Sequence, residues 1–506
     1  TAVNTLRDAY LYTGDKKYGR VGAILIDRIA DVYPAYDLLP YFGTFYNSHG
    51  GSGEGKIVGR IWETGLATAW ARGYDAFFDM YDDPYVVDFL AEKAEKYGLE
   101  NPKTTPAMIR QNCEDGILRT IFTGVKKAQI YGNFGMHQES LIAAAVALDN
   151  MPDTKTILDF TMQSGSYSKS KVTGGNVMAQ VVDLVNRDGT GNEAGPGYNN
   201  LWIDSMLKLS EMLRDYPGYT DADIYQNPKF TKMFAAMVPL TLTSRYTVQI
   251  GDSGATGGIG IAISKDSTLV GYKRFGSDLL AQTLYMLNGE SVKDLHYDIF
   301  TKNPESVQNS VKNTISEKGL LKLGSQNLTG YGFAVLRDGV YAPALVSSDT
   351  VDSQRDFWIN YGRNAGHGHP DALNLGMDAY GLNLAPDLGY PEATGADVNR
   401  AQWINNTLSH NTVVVNETKQ NGLTASANIQ HFDDSGRVKI MDVDAPKAYN
   451  ATSIYRRTVV MVEASNDVSY GIDFFHVKGG NDHLYSFHTT ASEDGVTENL
   501  NMVKQW

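Results

Sequence analysis

At 506 residues the chain is too long for one ordinary hydrophobic core, and two large domains are expected. A formal charge of -14, from 44 Lys and Arg against 58 Asp and Glu, argues against a general nucleic-acid binder, which would carry a basic stripe. No apolar run reaches membrane-spanning length, and the single cysteine, Cys113, excludes an internal disulfide framework or a multi-cysteine zinc site.

The first residues, "TAVNTLRDAYLYTGDKKYG", read as a helix already under way, with no charged-then-apolar leader, and the last, "NLNMVKQW", break off without a terminal signal. Further domains are therefore expected beyond the stretch. To about residue 240 the pattern is one amphipathic helix after another, joined by short loops such as "YTGDKKY" at 12–18. In "KYGRVGAILIDRIADVY" the residues Val21, Leu25, Ile29 and Val32 make an apolar stripe at helical spacing. In "QESLIAAAVALDN" the alanines 143–145 and 147 permit close helix contact. Many helical pairs in a row predict a solenoid or a closed ring of hairpins.

Between about 240 and 317 a Gly-rich stretch, "GDSGATGGIGIAIS", precedes renewed helix and reads as a long loop closing the helical domain. It is no phosphate-binding loop, because no Lys-Ser/Thr follows its glycines. From about 318 the texture changes to short β-type runs, beginning with "YGFAVLRDGVYAPALV" and its expected Asp338-Gly339 hairpin. The runs "DFWINYG", "HNTVVVN", "RRTVVMVEA" and "VSYGIDFFHV" follow almost without helix, which predicts an antiparallel β-sandwich over 318–506.

Three stretches carry chemistry. In "YGNFGMHQES", Asn133, His137 and Gln138 stand at the start of an Ala-rich helix, where the dipole disfavours the imidazolium and suits His137 to accept a proton; capping and packing is the plainer alternative. In "NRDGTGNEAGPGYNNLW", glycines crowd around Tyr198, which opens a helix with Leu201, Trp202, Met206 and Leu209 on one face. In "GHGHPDALNL", His367 and His369 flank one glycine and are followed by Asp387 in "APDLGY" and His410 in "LSHNTVVV". Side chains two apart on a strand share a face, so both histidines could reach one ion, but the glycine between them makes that inference unsafe. Two histidines and a carboxylate are ligand types that bind zinc, though ones so scattered form no local motif.

Taken in order, these stretches resemble the heparinase II/III-like polysaccharide lyases, a group that includes alginate lyases. The likeness rests on "NFGMHQE", "DGTGNEAGPGY" and above all "GHGHPDALNLGMDAYGLNLAPDLGYP" with "SHNTVVV", and it covers most of the chain. It implies an N-terminal incomplete (α/α) toroid as the catalytic domain, over 1–317, followed by the antiparallel β-sandwich. It further implies Tyr198 as catalytic acid, His137 as base or its partner, Asn133 and Gln138 as neutralisers of a substrate carboxylate, and His367 in the active cleft. His369, Asp387 and His410 would hold a structural divalent metal, most simply zinc, with no organic cofactor. Glycine 368 would let the two neighbouring histidines face different ways. Members of the group often put an asparagine directly beside the histidine, whereas Phe134, Gly135 and Met136 intervene here, so Gln138 is the alternative to Asn133.

The implied reaction is β-elimination at a uronate in an acidic polysaccharide, by a secreted or periplasmic enzyme. Alginate is favoured over heparin or heparan sulfate because the motifs show few clustered cations; Arg60, Arg187, Arg274 and Arg363 are candidate contacts to an anionic sugar. The rivals are a glycoside hydrolase using two of Glu54, Glu63, Glu139 and Glu193, and a carbohydrate-binding protein without turnover.

Overall fold

The computed structural model describes residues 2–44, 53–220, 223–254, 260–296, 301–339, 353–362, 366–390, 398–422 and 427–490. The chain divides into two compact units: Thr1–Asp183 with Asp204–Asn227, and Leu184–Ile203 with Pro228–Trp506. The last α-helix among the described residues, Pro304–Lys318, ends where the sequence puts the change to β structure, and the first strand of the large sheet starts at Gln326. The compact units divide elsewhere: residues 228–317, which the sequence reading gives to the helical domain, group with the strands.

The first unit is built of helices, including Ala2–Thr13, Lys16–Val32, Arg60–Ala76, Pro84–Tyr97, Met136–Leu148 and Asp153–Met162. Their starts follow local chemistry: Asp15, Asp83 and Thr105 each accept a first-turn amide, the last two followed by a proline that needs no partner for its missing N–H. The predicted stripe on Lys16–Val32 is displaced. Val21 is exposed, and the buried face is Gly19, Gly22, Ala23, Ile26 and Ala30. Small residues win there because Phe77 packs so closely that a Cβ on Gly22 would lie 2.2 Å from its ring. Helix Met136–Leu148 is buried nearly all round, including Ala143, Ala144 and Ala145, and packs on Arg60–Ala76.

In the second unit, strands Gln326–Leu328, Phe333–Asp338, Arg355–Asn360, Asn374–Ala379 and Leu382–Ala385 form an antiparallel meander. Phe333–Asp338 pairs with Arg355–Asn360, Asp338 opposite Arg355, so Asp338-Gly339 does not make the tight hairpin expected of it. The connection is longer, and its residues 340–352 lie outside those described. Successive side chains of a strand face opposite ways. Ala334 and Leu336 enter one core with Met441, Val443, Tyr455, Val459 and Met461, while Phe333 and Val335 enter a second with Trp358, Leu240, Leu242 and Val248. Burial on both faces explains why the strand is apolar throughout rather than alternating. Asn428–Asp433, Val438–Asp444, Thr452–Glu463 and Ser469–Gly479 form the second antiparallel sheet, packed on the first as the sandwich reading requires.

Candidate functional site

Asn133, His137 and Gln138 lie in the first unit. Gly135, at φ 91°, starts helix Met136–Leu148 and aims its N–H at Gln138 Oε1, 2.9 Å away. Gln138 Nε2 donates to the Gly175 carbonyl, also at 2.9 Å. Buried and bonded at both ends of its amide, Gln138 gives the N-cap amide its acceptor, the side-chain half of a capping box, and ties a loop to the helix start, which corrects the expectation that it neutralises a substrate carboxylate. Asn133 is half-buried, and its side chain makes no hydrogen bond among the described residues.

His137 is buried beneath Tyr131, ring centroids 4.5 Å apart, and Tyr131 in turn stacks on Tyr167. Burial lowers the His137 pKa to about 4, against a small opposing effect from a hydrogen bond to the Gly132 backbone, and Nδ1 has no partner among the described residues. The ring is thus neutral at pH 7 with an unengaged nitrogen. Desolvation, more than the helix dipole invoked from sequence, holds it so.

Tyr198 and His367 meet in the second unit. Tyr198 is the third residue of helix Pro196–Arg214, and the His367 ring lies flat on it, centroids 3.5 Å apart with planes inclined by 6°. His367 Nδ1 is 2.8 Å from Glu193 Oε2. A backbone bridge between Glu193 and Gly366, with Ala194 N–H donating to the Gly366 carbonyl, fixes that pair. Tyr390 closes edge-on against Tyr198. Burial first, then Tyr390, Asp252 and Glu193, raise the Tyr198 pKa, so its hydroxyl keeps its proton at neutral pH.

His369, two residues on, is fully enclosed among other partners. His367 itself makes the reversal, at φ 59°, so the residue expected to do so, Gly368, is not the one in the left-handed region. His369, Asp387 and His410 each turn a donor atom inward, all within 4.8 Å of one another. His410 Nδ1 lies 3.0 Å from Asp387 Oδ2, while its Nε2 is 3.2 Å from the Ile404 carbonyl. His369 Nδ1 is buried without a hydrogen bond among the described residues, 4.0 Å from Asp387 Oδ1, and its Nε2 lies 3.2 Å from Asp252 Oδ1. Each histidine thus turns Nδ1 toward the carboxylate and fixes Nε2 on an oxygen outside, the arrangement metal-binding histidines adopt. These residues fit a divalent ion. Burial works to lower the His410 pKa but Asp387 outweighs it and lifts it to about 9, so an entering cation would displace a proton. His367 has no place in that cluster.

The other candidates are engaged as follows. Glu63 is buried and accepts from the Tyr33 hydroxyl and from the backbone N–H groups of Lys56, Ile57 and Val58, which leaves it no acid-base task. Glu54 pairs with Arg60, Glu139 with Arg72 and Glu193 with His367. Arg60 also lies over the Tyr131 and Tyr167 rings. Arg187 is exposed on the wall of a polar cavity with Asn186, Tyr361 and Asn428. Arg274 sits in the last turn of helix Lys265–Phe275, and Arg363 lies outside the described residues. Sequence reasoning missed Asp252, Tyr390 and Arg400, and it placed Glu193 only among hydrolase carboxylates. Tyr390 and Glu193 stood inside the quoted motifs, whereas Asp252 lay in the Gly-rich stretch read as a plain loop.

Residues 358–503 match the family described as heparinase II/III-like, C-terminal, which takes in the end of the strand before His367 and every residue of the His369 cluster. The C-terminal part of this chain is thus similar to that family. No curated protein sequence matches it. Among solved structures it is similar to heparan sulfate lyase HepC from Pedobacter heparinus, at 16% identity and a TM-score of 0.55, over 93% of this chain and 60% of that one. It is likewise similar to the heparinase III BT4657 gene product, at 17% identity and a TM-score of 0.56, over 98% of this chain and 66% of that one. A structure named heparinase III matches at 12% identity and a TM-score of 0.51, over 96% of this chain and 63% of that one. The chain thus spans about 60% of HepC's length. The fold is a helical toroid followed by antiparallel sheets, as expected from sequence.

Proposed function

We propose that this chain is a polysaccharide lyase that cleaves a uronate-containing glycosaminoglycan of the heparin or heparan sulfate class by β-elimination. The observation that carries the reading is the protonated Tyr198 phenol held flat against His367, whose far side is fixed by Glu193. In the reaction a base removes the C5 proton beside the uronate carboxylate, the C5 electron pair forms the C4–C5 double bond, and the C4–O4 bond breaks. Tyr198, protonated at neutral pH, donates its proton to the departing O4. His137 is assigned the C5 proton on its chemistry alone, a neutral imidazole with an unengaged nitrogen, and Asn133 is assigned to the carboxylate. Solvent returns both groups to their starting protonation.

His369, Asp387 and His410 are assigned to a divalent ion, zinc by donor type, which when bound would brace these loops rather than break bonds. The preference for alginate drawn from sequence is revised. Cations from distant segments can converge on folding, which weakens the argument from sparse arginines, and the similar structures carry heparan sulfate and heparinase names. The test is digestion of heparan sulfate, heparin and alginate followed by near-ultraviolet absorbance. Unsaturated ends from the first two support the reading; from alginate alone, they reinstate the sequence preference; reducing ends without absorbance in any of them sink the lyase assignment.

A further inference from the structure

The Gly-rich stretch that fits no phosphate loop has a use in the structure. Its opening residues, Gly251–Gly254, touch each element of the second-unit site. Asp252 N–H donates to the His367 carbonyl at 2.8 Å, and Asp252 Oδ1 faces His369 Nε2 at 3.2 Å. Its other oxygen takes Arg400 Nη2 at 2.6 Å. Ser253 Oγ accepts from Gly197 N–H in the first turn of the Tyr198 helix at 2.9 Å, and the Gly254 carbonyl accepts from Tyr390 N–H at 2.7 Å. Contacts this close admit no side chain at the seams. A Cβ on Gly251, at φ 58°, would lie 2.4 Å from the His367 carbonyl oxygen, and one on Gly389, at φ 64°, would lie 2.6 Å from the Ser253 carbonyl oxygen.

We propose that Asp252 is a positioning residue that couples the His369–Asp387–His410 cluster to His367 and Tyr198, so that the ion site and the proton-transferring pair hold a single geometry. One short segment, buried from Gly251 to Ser253, makes bonds in both directions. The carboxylate fixes the ring orientation of His369, which leaves Nδ1 for the cluster. Arg400 fixes the carboxylate, and with the side chain pinned the same residue's N–H fixes the backbone of His367 in its left-handed conformation. A carboxylate behind a histidine ligand raises that ligand's basicity as well as orienting it. The proposal rests on the lyase and metal reading above and adds to it the residue through which the two sites communicate.

The experiment compares wild type, D252A and D252N, measuring zinc affinity by chelator competition and steady-state turnover of heparan sulfate at saturating zinc. D252A is expected to bind zinc roughly 10- to 100-fold more weakly and, once saturated, to keep kcat depressed by about tenfold with KM nearly unchanged. D252N retains an oxygen for His369 and should recover most of the zinc affinity; if D252A fails to fold, D252N still decides, with a kcat loss expected from the missing pair with Arg400. Unchanged zinc affinity in D252A overturns the proposal, as does full recovery of kcat on zinc saturation, which would confine Asp252 to the ion site. In D252N, wild-type kcat does the same. A wild type that takes up no zinc sinks the metal reading and the proposal together. A wild type that binds zinc but cleaves no uronate polymer sinks the lyase reading, and the zinc affinities then decide the link from Asp252 to His369.

Discussion

His137 and His367 are the same residue in opposite settings. In the helical unit, His137 is buried against Tyr131, has no carboxylate partner among the described residues, and is held neutral by burial. In the sheet-bearing unit, His367 is half-exposed and takes its orientation from a carboxylate on one side and a phenol beneath. One environment sets a protonation state and the other sets a direction, so different substitutions should damage them.

The largest effect is expected where the proposed proton donor itself is removed. Tyr198→Phe keeps the ring on which His367 stacks and deletes only the hydroxyl, so kcat should fall by roughly 10²- to 10⁴-fold with thermal stability unchanged. Turnover at the wild-type rate would mean that another group protonates O4.

Next comes the contrast between neighbours. His369→Ala removes a fully buried partner of Asp252 and Asp387 and should cost roughly 3 kcal/mol of stability, along with the bound ion, as read by thermal melting and elemental analysis. His367→Ala should leave both nearly intact and depress turnover instead. Equal loss of stability in the two variants would contradict the division of labour between them. Wild-type protein purified without chelator and found free of any divalent ion would remove the ion from the account altogether.

The pH dependence of folding sharpens the His137 side. Its folded pKa of about 4 lies below the ordinary 6.5, so between those values the unfolded chain binds the extra proton. The stability tied to the neutral ring is complete above about pH 6.5 and is lost as the pH falls toward 4, to a total of about 3 kcal/mol. Urea unfolding of wild type against His137→Gln, from pH 7 to 4, should show the two stabilities converge by this amount. Parallel curves would mean that the ring is solvated.

Much of this was legible in the residues, and the failures have physical causes. Helices, strands and the change from helix to strand near 318 follow periodicity, which local chain geometry enforces, whereas the division into compact units does not. The ligand types His369, Asp387 and His410 could be named, but that their donor atoms converge while His367 turns away depends on a left-handed backbone at His367 that no spacing rule indicates. Gln138 was misjudged because an amide three residues into a helix has two uses, and only the Gly135 and Gly175 contacts decide between them. The stripe on Lys16–Val32 failed because hydrophobicity was weighed without size: the tightest face of that helix is its glycines. Asp252 was invisible because its partners lie more than a hundred residues away in the sequence.

The smallest expected effect tests the carboxylate behind His367. Glu193 Oε2 accepts from Nδ1–H and so leaves Nε2 as the nitrogen free to act. Glu193→Gln can still accept through its amide oxygen, so the ring should stay in place and kcat should fall by only about tenfold or less, with KM unchanged. Glu193→Ala removes the acceptor and frees the ring to leave Tyr198, and kcat should fall further while stability and ion content hold. The order matters more than either value, because a purely electrostatic role would make Gln and Ala equally harmful, whereas orientation through a hydrogen bond makes Gln the milder change. Glu193 sits between those readings by geometry, and the two kcat values separate them.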